Sequence, residues 1–136
     1  MPERDFLWFL DRSLRILAEE APEALRRMLE EGRDLRLRID APAARATAWI
    51  SPRGVEIYEA PGEIDVFISF DERVIVELAE GEISLNDALL EDRLELRGPV
   101  ESLERLHAAM TCYIKGAARS PGLSRLLADY RDAIAD

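Results

Sequence analysis

Apolar and polar positions along this chain follow two periods, and the change from one to the other marks its elements. From Glu63 to Phe70 the pattern alternates, with Ile64, Val66, Ile68 and Phe70 on one face and Asp65, Phe67 and Ser69 on the other. That spacing predicts a half-buried strand. Asp71 then offers a side-chain cap to a helix whose inward residues are Val74, Ile75 and Leu78, and which stops at Gly81. Ser84 caps a shorter helix with Leu85, Ala88 and Leu89 inward. The strand Arg93–Arg97 follows, with Leu94 and Leu96 on one side. Gly98 ends it, and Pro99 opens a long helix at the N1 position that favours proline.

The remaining elements read the same way. Residues 3–19 form an amphipathic helix on Phe6, Leu7, Leu10, Leu14 and Leu17, with Trp8 and Phe9 widening the apolar arc. Core packing explains that arc, and so does a lid or dimer contact. A second helix starts at Pro22, ends before Gly32 and turns Ala24, Leu25, Met28 and Leu29 inward. Strands are expected at Asp34–Asp40, at Arg45–Ser51 and, after a Ser51-Pro52-Arg53-Gly54 turn, at Val55–Ala60. A second turn, Ala60-Pro61-Gly62, leads into the strand from Glu63. Lateral pairing of these strands would line Trp49, Tyr58 and Phe67 into an aromatic strip, a surface for a homodimer or for cross-strand stabilisation. The long helix carries Val100, Leu103, Leu106, Met110, Tyr113, Ile114 and Ala117 at 3–4 spacing. Ser120-Pro121-Gly122 breaks it, and a last helix over 123–135 presents Leu123, Leu126, Leu127, Tyr130 and Ile134.

The expectation is therefore an α+β chain: a five-stranded, largely antiparallel sheet with helices packed on one face. Its 136 residues form one domain, with an N-terminal helical hairpin over 1–32, a core over 34–117 and a C-terminal helix over 120–136.

Charge narrows the partners. A net charge of −10 speaks against nucleic acid, whose affinity comes from neutralising phosphates. One stretch departs from this balance. From Arg26 to Arg45 six arginines face four acids, a net of +2, which reads as a solvated face or as a weak membrane-surface or partner contact. A lone cysteine, Cys112, permits no internal disulfide and fits a reducing cytoplasm, and the charged N-terminus carries no secretory apolar region.

Beyond these patterns the chain resembles the sterol-carrier-protein-2 family of lipid-binding domains. The likeness rests on the strand ending Ile68-Ser69-Phe70-Asp71, the Gly81-x-Ile83-Ser84 turn, Ala88, and Leu94-x-Leu96-x-Gly98, and it extends from about Asp34 to Lys115. Glu91-Asp92 stands where the family has a small residue or glycine, and Pro99 stands where it has an acid. The resemblance implies an apolar tunnel between sheet and helices, lined by the inward rows that meet there: Ile68, Phe70, Leu78, Leu94, Leu96, Leu106, Met110 and Ile114. Leu123 and Leu127 would form its mouth or lid.

No reactive constellation competes with that reading. The sequence has no glycine-rich phosphate loop, no Gly-x-Ser-x-Gly elbow and no Cys-x-x-Cys pair. His107 is the only histidine and lies beside the apolar row of its helix. Paired carboxylate catalysis needs one desolvated acid, and the acidic runs Glu19-Glu20, Glu30-Glu31 and Glu91-Asp92 read as solvated helix ends. Burial alone suffices to hold a hydrocarbon, at about 0.8 kcal/mol per methylene. The expectation is a non-enzymatic carrier of lipids or other hydrophobic molecules, without cofactor or metal. The alternative is a protein–protein module with a filled core.

Overall fold

The computed structural model describes residues 5–41, 44–58 and 62–134. Two helices open the chain, α1 (Phe6–Glu20) and α2 (Pro22–Glu31). Strands β1 (Arg36–Ala41), β2 (Ala44–Ser51), β3 (Gly54–Tyr58) and β4 (Val66–Phe70) follow. Helices α3 (Glu72–Ala79) and α4 (Leu85–Leu90) lead to β5 (Leu94–Arg97), α5 (Val100–Ala118) and α6 (Pro121–Ile134). The expected segments Glu3–Arg4 and Ala135, and the Ala60-Pro61 part of the second turn, lie outside the described residues.

The caps sit where short polar side chains meet apolar periodicity. Asp5 Oδ1 accepts the Trp8 amide at 3.0 Å, Asp71 Oδ1 the Val74 amide at 2.9 Å, and Ser84 Oγ the Asp87 amide at 3.1 Å. Two boundaries shift. Pro99 caps α5 from outside the helix, and Val100, expected on the inward row, is 70% exposed. Pro121 and Gly122 begin α6 and do not merely separate it from α5. Proline suits a first helical turn, and Ser120 Oγ accepts the Leu123 amide at 3.3 Å.

The sheet runs β3-β2-β1-β4-β5. Its pairs are antiparallel except β1 with β4, so it is mixed but mostly antiparallel. The Ser51–Gly54 turn closes the expected β2–β3 hairpin, with the Ser51 hydroxyl donating to the Gly54 carbonyl at 2.9 Å. β4 does not continue that meander. It crosses back beside β1, pairing Ile39 with Ile68, and this removes the lateral β2-β3-β4 arrangement the aromatic strip required. Arg36 and Arg38 of β1 stand between Trp49 on β2 and Phe67 on β4. Ile64 precedes β4 and is 44% exposed.

Period-2 burial sets the inner face. Leu37, Ile39, Ala46, Ala48, Ile50, Val66, Ile68, Phe70 and Leu94 are all buried there, beneath the helices. Helix α2 crosses α5 at Gly116, where a Cβ would stand 2.8 Å from Ala24 Cβ. Gly32 gives α2 a similarly close approach to Ile50 on the sheet.

Candidate functional site

The inner sheet face and the helices do not close completely on one another. Between them lies a cavity of about 140 Å³. Leu37, Ile39, Ala48, Ile50, Val55, Ile68, Phe70 and Leu94 form its floor, from all five strands. Phe6, Leu10 and Leu14 of α1, Met28 of α2, and Ile75, Leu78 and Ala79 of α3 form much of the roof. Leu106, Ala109, Met110, Tyr113 and Ile114 of α5 complete it.

Seven of the ten expected tunnel residues meet here: Ile68, Phe70, Leu78, Leu94, Leu106, Met110 and Ile114. Leu96, Leu123 and Leu127 do not line the cavity. Leu96 is half-buried opposite Ile68, where the β4–β5 pair reaches the edge of the sheet. Leu123 and Leu127 are buried in the core on α6, a helix that contributes no side chain to the wall. Helix α1, for which the sequence leaves core packing, a lid and a dimer contact open, supplies part of the wall. Its Phe6, Leu10 and Leu14 were legible only as one apolar stripe, and nothing in the stripe says whether it meets protein or empty space.

The wall is chemically uniform. Among the described residues no charged side chain lines it, and the one phenol, Tyr113, turns its polar end aside. The Tyr113 hydroxyl donates to Ser13 Oγ at 2.6 Å, and the Ser13 hydroxyl donates to the Leu10 carbonyl at 2.8 Å. Burial pushes the Tyr113 phenol above its ordinary pKa, so it stays neutral across the physiological range. Such a surface can hold neutral hydrocarbon. It offers a carboxylate or ammonium no partner, and desolvating an unpaired ion costs far more than the burial of its chain returns.

Aromatic contacts fix α1 over the cavity. Phe6 and Phe70 meet edge to face with ring centroids 4.7 Å apart, and Phe9 stacks on Tyr130 at 4.6 Å. Trp8 is half-buried, with the Arg12 guanidinium 5.3 Å from its ring centroid. Beside the Phe9–Tyr130 stack lies a polar pair that the sequence did not reveal. Glu72 Oε1 and the Tyr130 hydroxyl are both buried without a hydrogen-bond partner. Desolvation, and then the charge of Asp5, raise the Glu72 carboxyl above its ordinary value. Burial, and then Glu72, do the same to the Tyr130 phenol.

The remaining candidates lie apart from the cavity. His107 Nε2 is 3.2 Å from Asn86 Oδ1 in an exposed contact, and neither His107 nor the half-buried Cys112 lines the wall. The Arg26–Arg45 stretch divides among separate surfaces. Arg26 pairs with Glu23 and Glu30 on α2, and Arg45 pairs with Asp40 on the sheet. Among the described residues no helix is long and apolar enough to cross a membrane.

No family model and no curated protein matches the chain. Solved structures do. A UbiJ-SCP2 ubiquinone synthesis protein superposes with a TM-score of 0.57 at 17% identity, covering 82% of this chain and 95% of that one. The sterol carrier protein domain 2 of Helicoverpa armigera gives 0.54 at 15% identity, covering 82% and 90%. A sterol carrier protein 2 gives 0.51 at 20% identity, covering 82% and 95%. At these identities the likeness is one of fold: the chain has the sterol-carrier-protein-2 fold.

Proposed function

We propose that this chain, built on the fold of sterol carrier proteins, binds neutral hydrophobic molecules between its sheet and its helices and carries them without catalysing a reaction. The observation that supports this reading most strongly is the cavity itself, whose wall has no charged side chain among the described residues. The proposed contacts are Ile68, Phe70, Leu78, Leu94, Leu106, Met110 and Ile114, joined by Phe6, Leu10 and Leu14.

Volume limits what enters without rearrangement. An apolar cavity of about 150 Å³ accommodates benzene, so this one takes an aromatic ring or a chain of about six carbons. At ~0.8 kcal/mol per methylene, six carbons supply roughly 5 kcal/mol before ordering costs. A sterol or a full acyl chain exceeds this volume and requires the wall to move. The neutral wall keeps a charged headgroup outside. Fatty acyl chains, sterol-like rings and prenylated aromatic rings all satisfy these terms. The ubiquinone synthesis protein among the structural relatives recommends testing the last class. With no cysteine partner for Cys112, the reading places this carrier in the cytoplasm.

Native mass spectrometry after organic extraction tests the proposal. Recovery of co-purified lipid, or uptake of a fluorescent fatty acid by the stripped protein, is the expected result. Neither being seen would overturn it.

A further inference from the structure

Helix α1 is held by different chemistry along its length. At its C-terminal end Glu20 Oε1 accepts the Ser120 hydroxyl and the Gly122 amide, both at 2.9 Å, which pins α1 to the start of α6. Halfway along, the Ser13–Tyr113 bond ties it to α5. Its N-terminal turn rests on rings, Phe6 against Phe70 and Phe9 against Tyr130. Phe6 also belongs to the cavity wall, so lifting this turn uncovers the cavity.

A buried acid sits at that same end. Glu72 opens α3 one helical turn before Ile75, another wall residue. Its Oε1 and the Tyr130 hydroxyl are close enough to act on one another, yet neither is aligned for a hydrogen bond. Among the described residues the groups acting on Glu72 are Asp5, which caps α1, and Tyr130 of α6, with Tyr113 of α5 acting in turn on Tyr130. None of them is a cation. Ionised, Glu72 is therefore a carboxylate with a buried oxygen that no donor meets, beside a second carboxylate, and keeping it from water is costly. Protonated, it is easier to bury and offers a hydrogen to the Tyr130 or Asp5 oxygen. Glu20 responds the other way: the Gly122 amide and then Ser120 hold its carboxyl below the ordinary value, so the pin stays charged while Glu72 titrates.

We propose that the N-terminal turn of α1 is the door of the cavity, shut when the Glu72 carboxyl carries a proton and lifting, about the end held by Glu20, when that carboxyl is ionised. Lifting parts Glu72 from Asp5 and lets water reach both. Ligand consequently exchanges faster at neutral than at mildly acidic pH. The ligand in this statement rests on the carrier reading, whereas the movement of α1 does not.

Amide hydrogen exchange of the ligand-free protein tests the door by itself. Protection of the amides from Phe9 to Leu14, corrected for intrinsic rates, should be about fivefold higher at pH 4.5 than at pH 7.5, with the amides of α5 changing less. The difference should vanish in Glu72→Gln and shrink in Asp5→Asn, which keeps a capping side chain. Protection in α1 that ignores pH would mean that the Glu72 side chain turns to water alone, and it overturns the proposal. So does a pH effect that survives in Glu72→Gln, or one spread equally over α1 and α5, which reports global stability. Benzene then serves as a neutral ligand: its exit rate, read by magnetisation exchange in NMR, should rise about threefold over the same pH range in the parent and stay constant in Glu72→Gln. Benzene that binds but leaves at a rate independent of pH overturns the door, and benzene that binds at neither pH refutes the carrier reading while the amides still decide the movement of α1.

Discussion

Tyr113 donates its hydroxyl to Ser13 Oγ across the α1–α5 contact, at 2.6 Å. That bond draws the one phenol among the described residues of the cavity wall out of the cavity, and it ties the roof helix α1 to the core helix α5. One interaction thereby sets the chemistry of the wall and holds α1 in place.

Removing the hydroxyl separates these roles. Tyr113→Phe should cost about 1 kcal/mol of stability, since Ser13 keeps its bond to the Leu10 carbonyl. Ser13→Ala leaves a buried phenol without its acceptor and should cost more, about 1–3 kcal/mol. Urea unfolding measures both. Uptake of an apolar ligand by Tyr113→Phe should equal that of the parent protein, and a marked loss would mean that the hydroxyl faces the ligand.

Gly116 should resist the substitution that helix propensity favours. Replacing a helical glycine with alanine ordinarily gains up to ~1 kcal/mol. Here the added Cβ would stand 2.8 Å from Ala24 Cβ and 3.0 Å from Leu17 Cδ2, and backbone-anchored atoms such as Ala24 Cβ cannot swing away. Overpacking of that kind costs about 1–3 kcal/mol. Gly116→Ala is therefore expected to lower the thermal midpoint, and a rise would contradict the close α2–α5 crossing.

Acid and base sides of the stability profile should have different owners. The Glu72 carboxyl is raised by desolvation and then by Asp5, so folding favours its protonated form. Its contribution is fully present below the ordinary value of 4.5 and is lost as pH rises through the raised value. Glu77 is lowered, chiefly by its hydrogen bond from Arg93, and Glu20 by the Gly122 amide and then Ser120. Their contributions are present above 4.5 and disappear as pH falls through the lowered values. Glu72→Gln should raise the unfolding free energy at neutral pH and change it little at pH 4. Denaturant unfolding across pH checks this, and equal effects at both pH values would refute the assignment.

Truncating the wall should enlarge the space at a known cost. Leu106→Ala removes a buried side chain of α5 that lines the cavity and should destabilise the protein by about 2–5 kcal/mol. Part of that loss should return on adding a small apolar ligand, seen as a larger rise in thermal midpoint than in the parent protein.

Much of the fold could be read from the chain because the signals are local. Asp71 and Ser84 cap their helices as short polar side chains before apolar runs do, and the alternations at Leu35–Ile39 and Val66–Phe70 place the inner sheet face. The return of β4 to β1 was not legible, since period-2 patterning fixes faces and leaves neighbours undetermined. That omission turned an expected aromatic strip into a face interrupted by Arg36 and Arg38. The site divided along the same line. Inward rows gave Ile68, Leu94 and Leu106 a common destination, but Leu123 has the same pattern and fills the core. Glu72 and Tyr130 sit far apart in sequence, and only the packing of α3 against α6 reveals their meeting.

The most direct measurement of the central claim is a titration of stripped protein with benzene, followed through side-chain methyl signals in NMR. Saturable shifts confined to Leu37, Ile68, Leu106, Ile114 and their neighbours are predicted, and they should vanish in Ala79→Phe, where the added ring occupies the space. Methyl signals that do not move at saturating benzene, or that move only on the outer face of the sheet, would contradict a ligand-ready interior.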